Sequence, residues 1–343
     1  MEIRSRQIFT EPLPMISDAT KINNPILHPQ PLRGFFLLMT AVLFWGSSAP
    51  IGKYLIVNSY DTLILAQTRT SLTFVLLLLF FLFKNRDVFK IHTEDIWKFA
   101  VLGVVGISLT NYTYYFTAKE SSVATAILVQ YTAPVWVVLY SVYIIKEEQF
   151  DRITCISLLF GLVGCFFAVT AGSMQSVNLR GWAIVTGPIS AFTFAYQIVA
   201  TKQLLKRYSV WTMLVYMFGF SALFWLCVNP PWNIIAKNYT VQDWGIFWMF
   251  SIISILIPQT AFASGLKLLD ASTAGIIGIL EPVVAIVAAF FMLGESLGVV
   301  QLLGAALVVA AVGLLQLHPV LRENVTQSLS GDNRRDETQV DAP

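Results

Sequence analysis

The sequence contains little charge, and this shortage excludes whole classes of protein. Only 12% of its 343 residues are Asp, Glu, Lys or Arg, whereas 56% are hydrophobic. A soluble domain carries about 25% charged residues, so this chain has too little polar surface to cover its apolar side chains in water. Soluble enzymes and nucleic-acid-binding proteins are therefore excluded. The net charge of +2 indicates no polyanionic partner.

Residues with metal-binding, redox or catalytic chemistry are also scarce. The three cysteines lie inside apolar runs without a CxxC pair, which excludes a disulfide scaffold and favours packing roles. The histidines lie at or beyond the edges of the apolar runs: His28, His92 and His318. No glycine-rich phosphate loop, GxSxG or HExxH motif occurs. We therefore expect no cofactor, no metal, no ATP-driven motor within the chain and no enzymatic activity.

Long hydrophobic runs are abundant, and lipid is the solvent that they require. A membrane-spanning helix needs about 20 mostly apolar residues. Ten segments meet this requirement: 34–57, 61–83, 96–117, 121–145, 152–171, 181–201, 210–229, 244–266, 270–293 and 297–318. The sequence therefore predicts an all-α polytopic membrane protein with the lipid bilayer as its surroundings.

Lys and Arg residues lie mostly on one side of these spans. With the N-terminus inside, 17 of the 22 are cytoplasmic, three are external and two lie within spans. Cytoplasmic loops carry the excess of positive charge, so we expect both termini in the cytoplasm and a plasma (inner) membrane location. Residues 1–33 and 319–343 are polar, and we expect them to form disordered cytoplasmic tails.

The chain also repeats itself weakly. A shift of 148 residues, which we call the repeat shift, aligns 119–147 with 267–295 without a gap, with six identities. The most informative identities pair Pro134 with Pro282 and Glu147 with Glu295. These matches predict two repeats of five spans each, at 34–171 and 181–318. An odd number of spans inverts one repeat relative to the other, as in many secondary transporters.

Several motifs within these repeats are specific. They are the AVLFWGSS run at 41–48 with Lys53, Arg69, the triplet Glu281-Pro282-Val283, and Gly294-Glu295-Ser296-Leu297 with Gln301 and Gly304. Over residues 33–317 the chain thus resembles the drug/metabolite transporter superfamily, in the ten-helix branch built of two EamA-type repeats. The first repeat departs from the pattern, because Glu148 doubles Glu147 and Ile156 replaces the expected glycine. The resemblance implies a secondary carrier, often an exporter of amino acids, metabolites or toxic small molecules.

Glu281 is the most informative intramembrane charge. It lies 11 residues into the ninth span, where an ionisable side chain costs about 2.5–3.5 kcal/mol and needs an explanation. Small residues at three- and four-residue steps place it on a face that points into the bundle. Pro282 frees a backbone carbonyl near Gly278. Glu281 therefore binds an amino group or a proton, or is a structural ion-pair or hydrogen-bonding residue.

Arg69 is the second deep charge, eight residues into the second span. Its counterpart under the repeat shift is Met217, so the charge breaks the repeat symmetry. Arg69 could hold a substrate carboxylate, pair with Glu281 or fix helix packing. Lys53 is near the outer end of its span, where it can reach the interface. We interpret Glu147 and Glu295 as helix-end and gate-region residues.

Polar and aromatic residues in several spans predict a binding pocket at the middle of the membrane. Polar groups within a bilayer are tolerated where they face protein or water. The predicted substrate-binding residues are Trp45, Arg69, Asn111, Tyr112, Tyr115, Gln130, Tyr196, Gln259 and Glu281, with Glu281 as the proton-coupling candidate. For any single Tyr or Trp, core packing or an interfacial position is the alternative.

These observations predict a monomeric carrier that moves a small-molecule substrate by alternating access, with export as the expected direction and proton coupling through Glu281. One alternative is a facilitated exchanger of phosphorylated sugars or nucleotide sugars, although such cargo would need more midplane cations than Arg69. A second is a membrane scaffold or receptor that transports nothing.

Overall fold

The computed structural model describes residues 29–58, 60–148 and 151–316. The predicted tails lie outside this part of the chain, apart from residues 29–33. Ten helices are long and apolar enough to span a membrane, which confirms the predicted fold class. In chain order they are α1 Leu32–Val57, α2 Thr62–Lys84, α3 Thr93–Glu120, α4 Val123–Ile145, α5 Arg152–Thr170, α6 Ala183–Leu205, α7 Val210–Val228, α8 Val241–Leu268, α9 Ala271–Leu293 and α10 Val299–Gln316.

The ends of the helices follow from local sequence, and every predicted boundary lies within four residues of the observed one. Short polar side chains accept hydrogen bonds from the free N–H groups of the first turn. Asp61 does so for α2, Asp151 for α5 and Ser209 for α7. Thr240 and Asp243 form a reciprocal capping box at the start of α8.

Helices α4 and α9 are each interrupted near the middle of the membrane. The regular helix of α4 stops at Gln130 and resumes at Ala133, and that of α9 stops at Gly278 and resumes at Leu280. Pro134 and Pro282 cause the breaks, because proline lacks the N–H group that would bond the preceding turn. The carbonyl that Pro282 is expected to free thus belongs to the residue at which the first part of α9 stops. The two prolines are equivalent under the repeat shift.

Helices α3 and α8 share a different irregularity. Leu102–Leu109 in α3 and Ile252–Leu256 in α8 are wound as π-helix. The repeat shift superposes the second segment on the first. Such wide turns are rare and occur frequently at functional sites.

Two tyrosine–aspartate contacts, which we call the joints, link the halves of the chain. Tyr208 donates to Asp95 at 2.6 Å, and Tyr60 donates to Asp243. Both joints obey the repeat shift, since Tyr60 corresponds to Tyr208 and Asp95 to Asp243. Hydrogen bonding to Asp243 raises the pKa of Tyr60 to about 12, so this phenol stays protonated at neutral pH. The crossed pairing is what inverted repeats would produce, and the inversion itself stays a prediction.

A second layer of hydrogen bonds lies deeper along the same helix pairs. Thr73 of α2 bonds Ser251 of α8 at 2.8 Å, and Ser221 of α7 bonds Ser108 of α3 at 2.7 Å. Thr73 and Ser221 are again equivalent under the repeat shift. The pairs α2–α8 and α3–α7 are thus each fastened at a membrane edge and within the bilayer.

Candidate functional site

Arg69, Asn111 and Tyr115 form a cluster between α2 and α3. The Arg69 Nη2 atom donates to Asn111 Oδ1 at 2.6 Å, and the guanidinium carbon lies 5.7 Å from the centre of the Tyr115 ring. Asn111 donates to the carbonyl of Ile107 at 2.7 Å, which fixes its amide. The structure thus brings together three of the predicted site residues.

One donor of this cluster has no partner. The Nε atom of Arg69 is buried and has no hydrogen-bond acceptor among the described residues. A buried donor without an acceptor is costly, so it is a natural position for a ligand oxygen. The guanidinium therefore retains a free hydrogen-bonding position beside the polar edge of Asn111.

Glu281 lies at the eleventh of the 23 residues of α9, directly after the break. It is half-buried, and its carboxylate is paired with the hydroxyl of Tyr131, which lies in the corresponding break of α4. The backbone here is held closely by α1. A Cβ atom placed on Gly46 would lie only 2.9 Å from the carbonyl oxygen of Glu281. Glu281 is therefore fixed at the crossing of three helices.

The charges of Arg69 and Glu281 interact electrostatically without forming an ion pair within 4 Å. Tyr114, next to Tyr115, interacts with both. Of the three roles open to Arg69, direct pairing with Glu281 is therefore wrong for this structure, in which Asn111 takes that place. One cationic and one anionic group remain near each other, each with capacity for a further partner.

Two more predicted site residues lie at the face between α1 and α8. Trp45 packs against Phe262, with ring centres 5.2 Å apart. Gln259 is 3% exposed, and its Nε2 atom has no acceptor among the described residues. Trp45 is thus a packing residue here, whereas Gln259 carries a second unused donor within the bundle.

The last three predicted site residues make fewer side-chain contacts. Tyr196 and Gln130 are half-buried, and Gln130 forms no hydrogen bond through its side chain with a described residue. Tyr112 is exposed and stacks on Phe116, with centroids 6.4 Å apart. Since adjacent helix residues point about 100° apart, Tyr112 diverges from the direction of Asn111. The contacts do not join these three to the Arg69 or Glu281 clusters.

Tyr131 is the contact of Glu281 that the prediction missed. The break caused by Pro134 was a signal, because it places Gln130 and Tyr131 at an interruption facing the one beside Glu281. Under the repeat shift, however, Tyr131 corresponds to apolar Ile279, so the alignment does not indicate a role for Tyr131.

The gate-region glutamates have partners that the sequence did not reveal. Glu147 pairs with Lys206, and Glu295 pairs with Lys53 at 2.5 Å. After the predicted orientation of the chain, we call the first pair the inner latch and the second the outer latch. Lys53 therefore reaches a carboxylate on the α9–α10 connection. Hydrogen bonding to Lys206 lowers the pKa of Glu147 below its ordinary value of 4.5. Each latch joins one half of the chain to the other.

A second glutamate reinforces the inner latch. Glu148 accepts hydrogen bonds from the backbone N–H groups of Ala271 at 3.0 Å and Ser272 at 3.3 Å, at the start of α9. Burial raises the pKa of Glu148. Nearby Lys202 donates to the carbonyls that end α8. The loop after α4 thus holds both α6 and α9.

Comparison with known families matches the whole membrane region. The model of the EamA-like transporter family matches this chain twice, over residues 32–170 and 181–317. A solved crystal structure of 18% identity has a TM-score of 0.68 and aligns over 83% of this chain and 96% of its own, which supports the fold.

Curated relatives are named as transporters. The uncharacterized inner membrane transporter YicL of Salmonella typhimurium is 23% identical over 83% of this chain and 95% of its own. The threonine/homoserine exporter RhtA of Escherichia coli is 23% identical over 60% of this chain and 67% of its own. The pseudopaline exporter CntI of Pseudomonas aeruginosa is 24% identical over 52% of this chain and 61% of its own.

Proposed function

The chain belongs to the EamA-like transporter family, and we propose that it exports a small zwitterionic metabolite, such as an amino acid, by alternating access. The observation that carries this proposal is the pair of opposite charges, Arg69 and Glu281, that lie near each other without pairing. Desolvated charges are expensive within a bilayer unless they serve a partner. A zwitterion supplies a partner for each.

The substrate carboxylate binds the guanidinium of Arg69, where Nε is free and Asn111 shapes one side of the site. Planar guanidinium groups hold carboxylates through two parallel hydrogen bonds. The substrate ammonium binds the Glu281 carboxylate beside Tyr131. The aromatic rings of Tyr114 and Tyr115 form the wall between the two ends.

Glu281 also supplies a site for proton exchange. When the substrate leaves, the Glu281 carboxylate loses its ammonium partner and can take up a proton from the side of the membrane to which the site is open. Substrate and proton then compete for one carboxylate, which couples their opposite movements. The inward and outward forms expose this site in turn.

Relatives support export of compounds with this chemistry. RhtA is named for threonine and homoserine, and each of these carries one ammonium and one carboxylate. We propose that the protein is a monomer in the inner membrane with both termini cytoplasmic. The distribution of Lys and Arg supports the orientation of the termini.

Efflux from proteoliposomes loaded with mixed amino acids and small metabolites tests the proposal. Mass spectrometry follows the internal contents with and without a pH gradient. We expect selective loss of a few zwitterions, faster with the gradient. Loss of phosphorylated sugars instead would favour facilitated exchange, and no selective loss of any compound would favour the scaffold.

A further inference from the structure

The glutamates of the two latches occupy equivalent positions in the chain. The repeat shift superposes Glu147 on Glu295, and each follows a residue in the left-handed conformation, Lys146 with φ of 58° and Gly294 with φ of 69°. A left-handed residue ends a helix by turning the chain sharply. The same turn thus delivers each glutamate to its lysine, although Lys146 adopts it without the freedom of glycine.

Each latch restrains the free end of a hinged half-helix. The inner latch follows the part of α4 that resumes at Ala133, and the outer latch follows the part of α9 that resumes at Leu280. Pro134 and Pro282 interrupt the backbone hydrogen bonds at the other ends of these segments. A half-helix with a proline break at one end and a latch at the other can swing when the latch opens.

The partner lysines come from the opposite halves of the chain. Lys206 follows the end of α6, and Lys53 lies near the end of α1. Successive spans alternate in direction, so the two latches lie at opposite faces of the membrane. Their side chains are 42–59% exposed, which keeps the energy of each pair small enough to be broken during a cycle.

We propose that Glu147–Lys206 and Glu295–Lys53 are the inner and outer latches of the transport cycle, and that they open in alternation. This inference rests on the proposed carrier function. Opening one latch releases its half-helix and exposes the central site to that face. The other latch stays closed and keeps the opposite face sealed.

The joints have additional, deeper hydrogen bonds that the latches lack, so the latches are the contacts that open. Each joint is backed by a deeper hydrogen bond on the same helix pair, Thr73–Ser251 or Ser221–Ser108. Neither joint adjoins a proline break. The pairs α2–α8 and α3–α7 therefore form the frame against which the half-helices move.

The two latches are unequal in the number of hydrogen bonds that support them. Glu148 adds two backbone hydrogen bonds to the inner latch, whereas Ser296 stands at the equivalent position of the outer latch. Gln203 also donates to Glu147. The inner face is therefore the more firmly closed, while both latches are formed in this structure.

Thiol labelling of two equivalent positions tests the proposal. Ser141 is 4% exposed and lines the cavity beside Glu147, and Ala289 is its counterpart in α9. Ser141→Cys and Ala289→Cys are introduced separately into the full chain with its three native cysteines replaced by alanine. An impermeant maleimide is applied to inverted vesicles, which expose the cytoplasmic face, or to intact cells, which expose the outer face.

Lys206→Gln opens the inner latch, so we expect the inner reporter to label about twofold to fivefold faster and the outer reporter more slowly. Lys53→Gln should slow the labelling of the inner reporter and speed the labelling of the outer reporter. The exchanged pairs, Glu147→Lys with Lys206→Glu and Glu295→Lys with Lys53→Glu, should restore the original rates. Tyr60→Phe is the matched control, because it weakens a joint and should leave both rates unchanged.

Changes of the same sign at both reporters, or no change at either, would overturn the proposal, since loosened packing would produce the former and a passive surface pair the latter. If one single variant does not yield folded protein, the exchanged pair and the variants of the other latch still test the proposal. Labelling requires no substrate, so failure to find an exported compound would refute the proposed function while leaving the latch result intact.

Discussion

At the residue scale, the proposed function depends on two charges that the bundle keeps near each other and unpaired. Arg69 is held by Asn111 and Tyr115, and Glu281 is held by Tyr131 and by the approach of Gly46. These neighbours orient each charge without neutralising it. A substrate can therefore bind both.

Replacement of Arg69 by methionine removes the carboxylate-binding group while keeping an unbranched side chain. We expect the rate for zwitterions to fall about tenfold or more, which is the cost of losing a charged hydrogen bond. Amines without a carboxylate should be affected much less. Competition by amino acids and by the corresponding amines in the efflux assay measures the difference. Arg86→Met, at an exposed connection, is the control, and equal losses for both classes would make Arg69 a packing residue.

Tyr131→Phe removes only the hydroxyl that pairs with Glu281. Hydrogen bonds within membranes contribute about 0.6 kcal/mol on average and at most about 1.7, so we expect transport to slow by about threefold to tenfold. Expression and Tm should change little. Tyr143→Phe, an exposed tyrosine on the same helix, should transport normally. A Tyr131→Phe variant with unaltered transport would remove Tyr131 from the site.

At the element scale, the breaks in α4 and α9 position Tyr131 and Glu281. Sequence reasoning reached the ten spans and the break at Pro282, because hydrophobic length and proline chemistry are local properties. It did not reach the π-helical turns of α3 and α8, since their apolar residues carry no distinguishing pattern. It also missed Tyr131, whose role depends on a contact between two distant breaks.

The close contact between α1 and α9 at Gly46 can be tested directly. A Cβ at Gly46 would lie 2.6 Å from the Val284 side chain as well as 2.9 Å from the Glu281 carbonyl. Gly46→Ala should therefore displace Glu281, destabilise the protein by about 1–3 kcal/mol and impair transport. Thermal unfolding and efflux measure the two effects. Gly313→Ala, where nothing lies within 4 Å, should be neutral. Wild-type behaviour of Gly46→Ala would contradict the described packing.

The deep hydrogen bonds of the frame should be equivalent in the two halves. Ser221→Ala removes the bond to Ser108, and Thr73→Val removes the bond to Ser251 together with a bond to the carbonyl of its own helix at Arg69. We expect each interhelical bond to contribute about 0.6 kcal/mol. Thermal unfolding in detergent measures the two losses side by side. A large loss for one variant with none for the other would show that the two helix pairs do not play the same structural role.

At the scale of the whole molecule, the two joints and the glutamates of the two latches follow the single repeat shift. That shift was visible in part from Pro134 and Pro282. It also matches Tyr60 with Tyr208 and Asp95 with Asp243, so a comparison of the whole chain could have suggested the joints. The latch lysines could not be found this way, because Lys53 and Lys206 are not at equivalent positions.

The inner latch should not respond to pH near neutrality. The lowered pKa of Glu147 means that the inner latch keeps its ion pair above the ordinary value of 4.5 and loses it only as pH falls through the lowered value. Its titration therefore contributes nothing to pH dependence near neutrality. We therefore expect dependence on a gradient in that range to come from a group other than Glu147, and Glu281 is the proposed one.

Efflux driven by a pH gradient near neutrality, compared between the unmodified protein, Glu281→Gln and Glu147→Gln, is the most direct test of the central claim. We predict that Glu281→Gln abolishes the effect of the gradient while the folded protein is retained. Glu147→Gln should keep the effect of the gradient, although its basal rate changes. Efflux by Glu281→Gln that still accelerates with the gradient would contradict the assignment of proton exchange to Glu281.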